Sequence, residues 1–335
     1  MKLSVWAILA AAAALGAMLL LLGGPGNGLS SPVSGQREVL GAQATITVYD
    51  RSPKLGRAAI DQALDCMRSI ETVASAEDST SELGQLHQID YLPSASSELT
   101  QMLRLAFVVH QISDGAFDIT GKPLLELWQA ASPGEVQTAS LALASEHVGM
   151  TRILLGQGAN ASVALVPGTR IDLNGIAQGT AVDAAIAALQ EAGIEHALVQ
   201  LGAAYRAYGG MPDGTPWRVT LAGPDGTVRT VAQFDLRDGA LATVGTPARF
   251  FDAAIAPELI VDPRTGCPAK AMSSATVIAS TCAEACALAR AVFVLGPDAG
   301  LALIERFASN QALLLGYDDP TSVLRSSGMT AVVDP

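Results

Sequence analysis

Ile171-Asp172-Leu173-Asn174-Gly175-Ile176-Ala177-Gln178-Gly179 is the run on which the reading of this chain turns. It begins apolar, acidic, apolar, as a short strand does, and an Asn-Gly pair then breaks it. From Gly179 to Gly193, alanines and aliphatics recur at three- and four-residue spacing and end on a glycine, which predicts a helix with a glycine C-cap. Asp172, a carboxylate after a strand and before a glycine loop, suits contact with a nucleotide base or ribose. Asp183 falls in the first turn of the expected helix, where it favours the dipole.

Toward the N-terminus, Ala44-Thr45-Ile46-Thr47-Val48-Tyr49 reads as a strand. Helices are expected from Ile60 to Ala74, Glu98 to Ile112 and Ser140 to Gly149, with short strands at 152–155 and 162–166. Toward the C-terminus come strands at 197–201, 217–222, 227–235 and 240–244, a helix from Ala283 to Leu295, and closing strands at 312–315 and 330–333. No repeat and no linker-type break interrupts residues 37–335, so one α+β domain is expected.

The chain has 335 residues, 50% of them hydrophobic and 16% charged, enough for a full core and inconsistent with a disordered chain. Its net charge of −12, with no Lys/Arg stripe, argues against nucleic acid as a partner. Aromatic residues are 4% of the chain and there are four histidines.

Residues 3–22 form a charge-free apolar run behind Lys2. As a helix it rises about 30 Å, the thickness of a bilayer core. An uncleaved anchor in a bacterial inner membrane, with the body in the periplasm, is expected from it; a cleaved signal peptide with a secreted body is the alternative. Residues 23–36, rich in Gly, Ser and Pro, read as a flexible tether, leaving 37–335 as the folded domain.

Gly115-Ala116-Phe117-Asp118-Ile119-Thr120 with Pro123, Leu124 and Trp128, the Ile171–Gly179 run with Ala181-Val182-Asp183, Val261-Asp262-Pro263-Arg264-Thr265-Gly266 and Val292-Phe293-Val294-Leu295-Gly296 stand in one order. Gly41 and Ser81-Glu82-Leu83 precede them. Taken together the chain resembles the ApbE family of flavin transferases. The resemblance implies a T-fold-like α+β domain that binds FAD beside magnesium, moves FMN onto a threonine of an extracytoplasmic acceptor or redox-complex protein, and releases AMP. It assigns flavin or FAD contacts to Leu40, Ala116, Phe117, Asp118, Asp172, Gln178, Ile260 and Arg290.

Such a transfer needs a cation on the pyrophosphate and a base for the acceptor hydroxyl. The resemblance places the base at Leu259, which cannot move a proton. It draws the magnesium ligands from the backbone of Gly175 and from helix positions that here are Cys286 and Arg290. A thiol is a poor magnesium ligand and a guanidinium repels a divalent cation, so catalysis and the metal are both called into question. The family's flavin-side tyrosine position holds Glu77. A non-catalytic flavin-binding or assembly module is the alternative function.

Arg290 either replaces the ion or pairs with an acid such as Glu284. Cys282 and Cys286 are buried thiols or, less simply, a soft metal pair. His87, His110, His147 and His196 read as surface or capping residues, Trp128 and Trp217 as core. Asp262 in the Asp-Pro turn is expected to fix its own loop.

Overall fold

The computed structural model describes residues 31–131, 136–222, 230–245, 259–316 and 322–333. The expected anchor at 3–22 lies outside them, and no helix among the described residues is long and apolar enough to cross a membrane.

In chain order the elements are β1 (Val33–Val39), β2 (Ala42–Tyr49), α1 (Pro53–Ala74), α2 (Glu82–Ile89), β3 (Tyr91–Leu92), α3 (Ser97–Ile112), α4 (Lys122–Ala130), α5 (Thr138–Ser145), β4 (Ile153–Leu155) and β5 (Val163–Leu165). Then follow α6 (Asn174–Glu191), β6 (His196–Leu201), β7 (Ala204–Tyr208), β8 (Trp217–Ala222), β9 (Thr230–Leu236), β10 (Ala240–Gly245), β11 (Val261–Asp262), β12 (Cys267–Pro268), β13 (Met272–Ala279), α7 (Cys282–Leu295), α8 (Pro297–Ile304), β14 (Gln311–Gly316), β15 (Val323–Arg325) and β16 (Val332–Val333).

Eight strands form one antiparallel sheet in the order β1-β2-β6-β7-β10-β13-β14-β15. One face packs on α1, α6 and α7 through residues such as Ile46, Ile60, Met67, Ile186, Val277 and Leu288. The other shares a second core with β8 and β9, where Tyr49, Leu241, Leu313 and Leu315 meet Trp217, Val219 and Phe234, and β16 pairs with β9. Mixed helix and antiparallel sheet is the α+β class expected. Helix starts follow local chemistry: Ser52, Ser81, Ser96 and Thr281 each accept an N–H two or three residues into the helix they open.

Three sequence expectations change. The tether does not extend to residue 36: β1 begins at Val33 and pairs with β2 from Val33↔Val48 to Val39↔Ala42. Its Ser and Gly residues fit because only one side of this edge strand meets the core, and ladder pairing outweighs composition. Residues 171–173 are not a strand, and the helix after them starts at Asn174 instead of Gly179. Asp183 is consequently mid-helix. It accepts the Cys282 and Ala283 N–H groups at 2.9 and 3.0 Å, so it serves the dipole of α7 and not of its own helix. Arg206 on β7 pairs with the same carboxylate at 2.5 Å. Burial pushes that carboxyl up from its ordinary pKa against the pull of Arg206 and the two amides.

Candidate functional site

The two longest motifs meet at one backbone bond: Asp172 N–H donates to the Ile119 carbonyl at 2.7 Å. Asp172 Oδ1 accepts the Asn174 N–H at 2.9 Å, turning the chain into α6. On the other side, Asp118 Oδ1 accepts both the N–H and the hydroxyl of Thr120, at 2.8 and 2.5 Å. Around this junction lies a small cleft of about 40 Å³, partly open to solvent.

Ala116, Phe117, Asp118, Asp172, Gly175, Leu259 and Arg290 all line it. Segments from four regions of the sequence thus converge as the resemblance implies. Four other candidates are placed elsewhere. Leu40 sits in the β1–β2 turn with φ +50°, its N–H bonded to Glu71 at 3.0 Å. Gln178, one turn beyond Gly175, lies toward the Gly202 turn. Ile260 is core at 2% exposure, and its carbonyl takes the Ala269 N–H. Cys286 is buried in the main core, one helical turn before Arg290.

Lys122, at the start of α4, also lines the cleft and was missed in the sequence. Its one signal is position, directly after Gly121 and before a helix-starting proline. Its ammonium pairs at 2.5 Å with Glu77, which is held below the usual carboxylate range by that bond. The Glu77–Lys122 pair therefore stands where the family's tyrosine is placed by resemblance. Val261 and Pro263 bring the Asp-Pro turn to the wall. Asp262 fixes that turn as expected, accepting Arg264 N–H at 2.9 Å and a two-point bond from its guanidinium. Trp128 is not core: half-buried, it donates from Nε1 to Gly266 O at 2.7 Å and ties α4 to the same turn. Trp217 is core, 1% exposed.

The charge in the cleft is balanced between Asp118 and Asp172 on one side and Lys122 and Arg290 on the other. Arg290 runs along Gly175: a Cβ on that glycine would lie 2.9 Å from its Nε, 3.1 Å from its Cδ and 3.1 Å from the Phe117 ring. Glu284, the acid considered for it, is engaged by Ser280 and Asn310. Cys282 and Cys286 are both buried, and burial pushes the Cys282 thiol well up, as in two packed thiols.

Three of the four histidines are structural and not superficial, and His196 Nδ1 lies 2.7 Å from the Gly210 carbonyl. His110 Nδ1 lies 2.9 Å from the Phe117 carbonyl and 3.5 Å from Asp118. His87 Nε2 accepts the Ile171 N–H at 2.9 Å, holding the run that leads to Asp172. Burial, then Arg170 and Lys122, lower its pKa from 6.5 to about 4, against Asp90 and Glu77. Because the folded value is depressed, the unfolded chain takes the proton first. Stability is full above pH 6.5 and falls as pH drops toward 4, by about 2 kcal/mol after allowing for partial exposure. His87→Gln, whose amide oxygen still accepts the bond, is expected to flatten that part of a melting-temperature profile. Parallel profiles for the two proteins would rule the role out.

The ApbE family model matches residues 40–315. The FAD:protein FMN transferase of Vibrio cholerae is 30% identical over 232 residues, 68% of this chain and 69% of that protein. That of Treponema pallidum is 29% identical over 301 residues, 84% of this chain and 83% of its own. The solved flavin transferase ApbE from Vibrio cholerae superposes with a TM-score of 0.75 at 27% identity, covering 89% of this chain and 97% of that one. The ApbE protein of Thermotoga maritima gives 0.76 at 26%, with the same coverages.

Proposed function

The chain belongs to the ApbE family, and from that premise we propose a member that holds a flavin nucleotide without transferring it. The carrying observation is the pair Leu259 and Arg290 on the cleft wall. By resemblance these are the positions of the base and of a magnesium ligand. The walls suit an anionic nucleotide: Lys122 and Arg290 for phosphate, Asp118 and Asp172 for hydroxyl or ring N–H groups, Phe117 and Ala116 for apolar surface. They do not suit magnesium, because Cys286 is buried in the core and Arg290 brings a positive charge against Gly175.

In the family's reaction a threonine hydroxyl attacks the FMN phosphorus of FAD, the pyrophosphate P–O bond breaks, AMP leaves and the hydroxyl proton goes to a base. Leu259 offers no lone pair for that proton. What this chain's residues do instead is bind and orient. We place the body outside the bacterial inner membrane, anchored through residues 3–22, where it would present or protect flavin for a redox complex.

Equilibrium dialysis of FAD against the purified protein, with AMP and acceptor mass followed in parallel, tests the reading. Saturable flavin binding without AMP supports it. Absent binding would sink the binding role; rapid AMP release with an FMN-sized gain in acceptor mass would restore a transferase, and AMP release without it a hydrolase, with Asp172 or Asp118 as the carboxylate available for the base role.

A further inference from the structure

We propose that the Arg290 guanidinium is the cation of this cleft, pairing directly with the phosphate groups of a flavin nucleotide so that binding needs no divalent metal. The inference rests on the flavin-binding reading above and adds what replaces the ion.

The donor set is the first argument. Among the described residues no group of three or more His, Cys, Asp or Glu side chains is placed to hold a metal. A backbone carbonyl, a thiol and a guanidinium offer one hard oxygen where magnesium takes six ligands. Packing is the second. The Arg290 stem lies in the space that a side chain at residue 175 would take, since a Cβ there would come within 2.9 Å of Nε. Its neighbours Ala289 and Ala291 are fully buried, so α7 fixes where the stem begins. A cation delivered this way reaches the wall beside Asp172 and Gly175, where α6 opens with its first N–H groups. Chemistry is the third. A guanidinium is permanently charged and presents a planar fork that matches two phosphate oxygens. Lys122 lines the same cleft but is paired with Glu77, which leaves Arg290 as the cation beside Gly175. A monovalent hydrogen-bonding cation grips a phosphate yet polarises it less than a divalent Lewis acid, which fits binding without transfer.

The test is titration of FAD, FMN and riboflavin into the full chain, by flavin fluorescence, in excess EDTA or in magnesium. FAD and FMN affinities are expected to agree within about twofold between the two conditions. Arg290→Gln should weaken FAD and FMN by about 30-fold, the worth of a charged hydrogen-bonded contact, and Arg290→Lys by about tenfold. Riboflavin, which has no phosphate, should bind the native protein and Arg290→Gln alike; a merely structural arginine would lower all three ligands together. Gly175→Val, which takes the space of the stem, should copy Arg290→Gln and decides the matter if that variant fails to fold. FAD binding that requires magnesium, or that Arg290→Gln and Gly175→Val leave unchanged, overturns the inference while the flavin-binding reading stands. No flavin binding in either buffer overturns both.

Discussion

Mixed with FAD, magnesium and a threonine-bearing acceptor domain, the protein is expected to release AMP at the rate of FAD alone and to leave the acceptor mass unchanged. Losing a positioned base costs about 10²–10⁴ in rate. Losing a Lewis acid on a transferring phosphoryl group costs several kcal/mol more. Even allowing for strong non-additivity, the deficit against a member with both is about 10⁴-fold or greater. The two losses also explain why a single repair should fail. Leu259→His would return an imidazole to the cleft wall, but Arg290 would still lie against Gly175. We expect less than about a tenfold gain in AMP release from that variant, since proton removal is of little use while the pyrophosphate remains unpolarised. Chromatographic AMP quantification and intact-mass spectrometry of the acceptor read both results. Turnover within about tenfold of a transferase such as that of Vibrio cholerae would defeat the argument.

The sequence revealed the strands that alternate and the helices with one apolar stripe. Ala42–Tyr49, Ser97–Ile112 and Cys282–Leu295 emerge within a few residues of their expected bounds. What it concealed has physical causes. In β13, residues Ser273, Ser274 and Thr276 are buried along with Met272, Ala275 and Val277, so no period-two pattern marks the strand. Helix α4 is only nine residues long, and although Leu124, Leu125, Leu127 and Trp128 fall at helical spacing, so short a run does not distinguish a helix from a loop. Strand β1 hid behind Gly, Ser and Pro because an edge strand needs a partner ladder more than β-propensity.

Motifs more than a hundred residues apart line one cleft, and each carries a turn that the chemistry needs. Side-chain direction could not be read that way. Cys286 and Arg290 share one helix a turn apart, yet the first is buried in the core and the second lines the cleft. His87 is the converse case: it sits on α2, far in sequence from Asp172, and its task becomes visible only when the Ile171 N–H is seen on its ring. An acidic chain can also hold an anion, because a bound phosphate responds to the guanidinium it touches, while charges more than about 10 Å away are largely screened.

Gly179→Ala is expected to be strongly destabilising. A Cβ at residue 179 would stand 2.4 Å from the Cys282 carbonyl oxygen, 2.5 Å from its carbon and 2.6 Å from Ala283 Cα. All three are backbone atoms at the start of α7, so no rotamer change relieves the contact. Alanine would bring about 1 kcal/mol of helix propensity. Against this, moving α7 off α6 strains the Asp183 bonds to the Cys282 and Ala283 N–H groups and opens packing around Ala285 and Val182. Overpacking of this kind costs about 3 kcal/mol or more, so the clash wins. At about 2 °C per kcal/mol, the melting temperature should fall by roughly 6 °C or more. Gly193→Ala is the control: unlike Gly179 it has a positive φ, +79°, but nothing lies within 4 Å of a Cβ built there, so the conformational penalty alone, about 1 kcal/mol, should appear. Equal melting shifts for the two variants would contradict the close approach of α6 and α7. The same displacement moves the helix that carries Arg290, so Gly179→Ala should weaken FAD binding in the fraction that still folds, while Gly193→Ala should leave it intact.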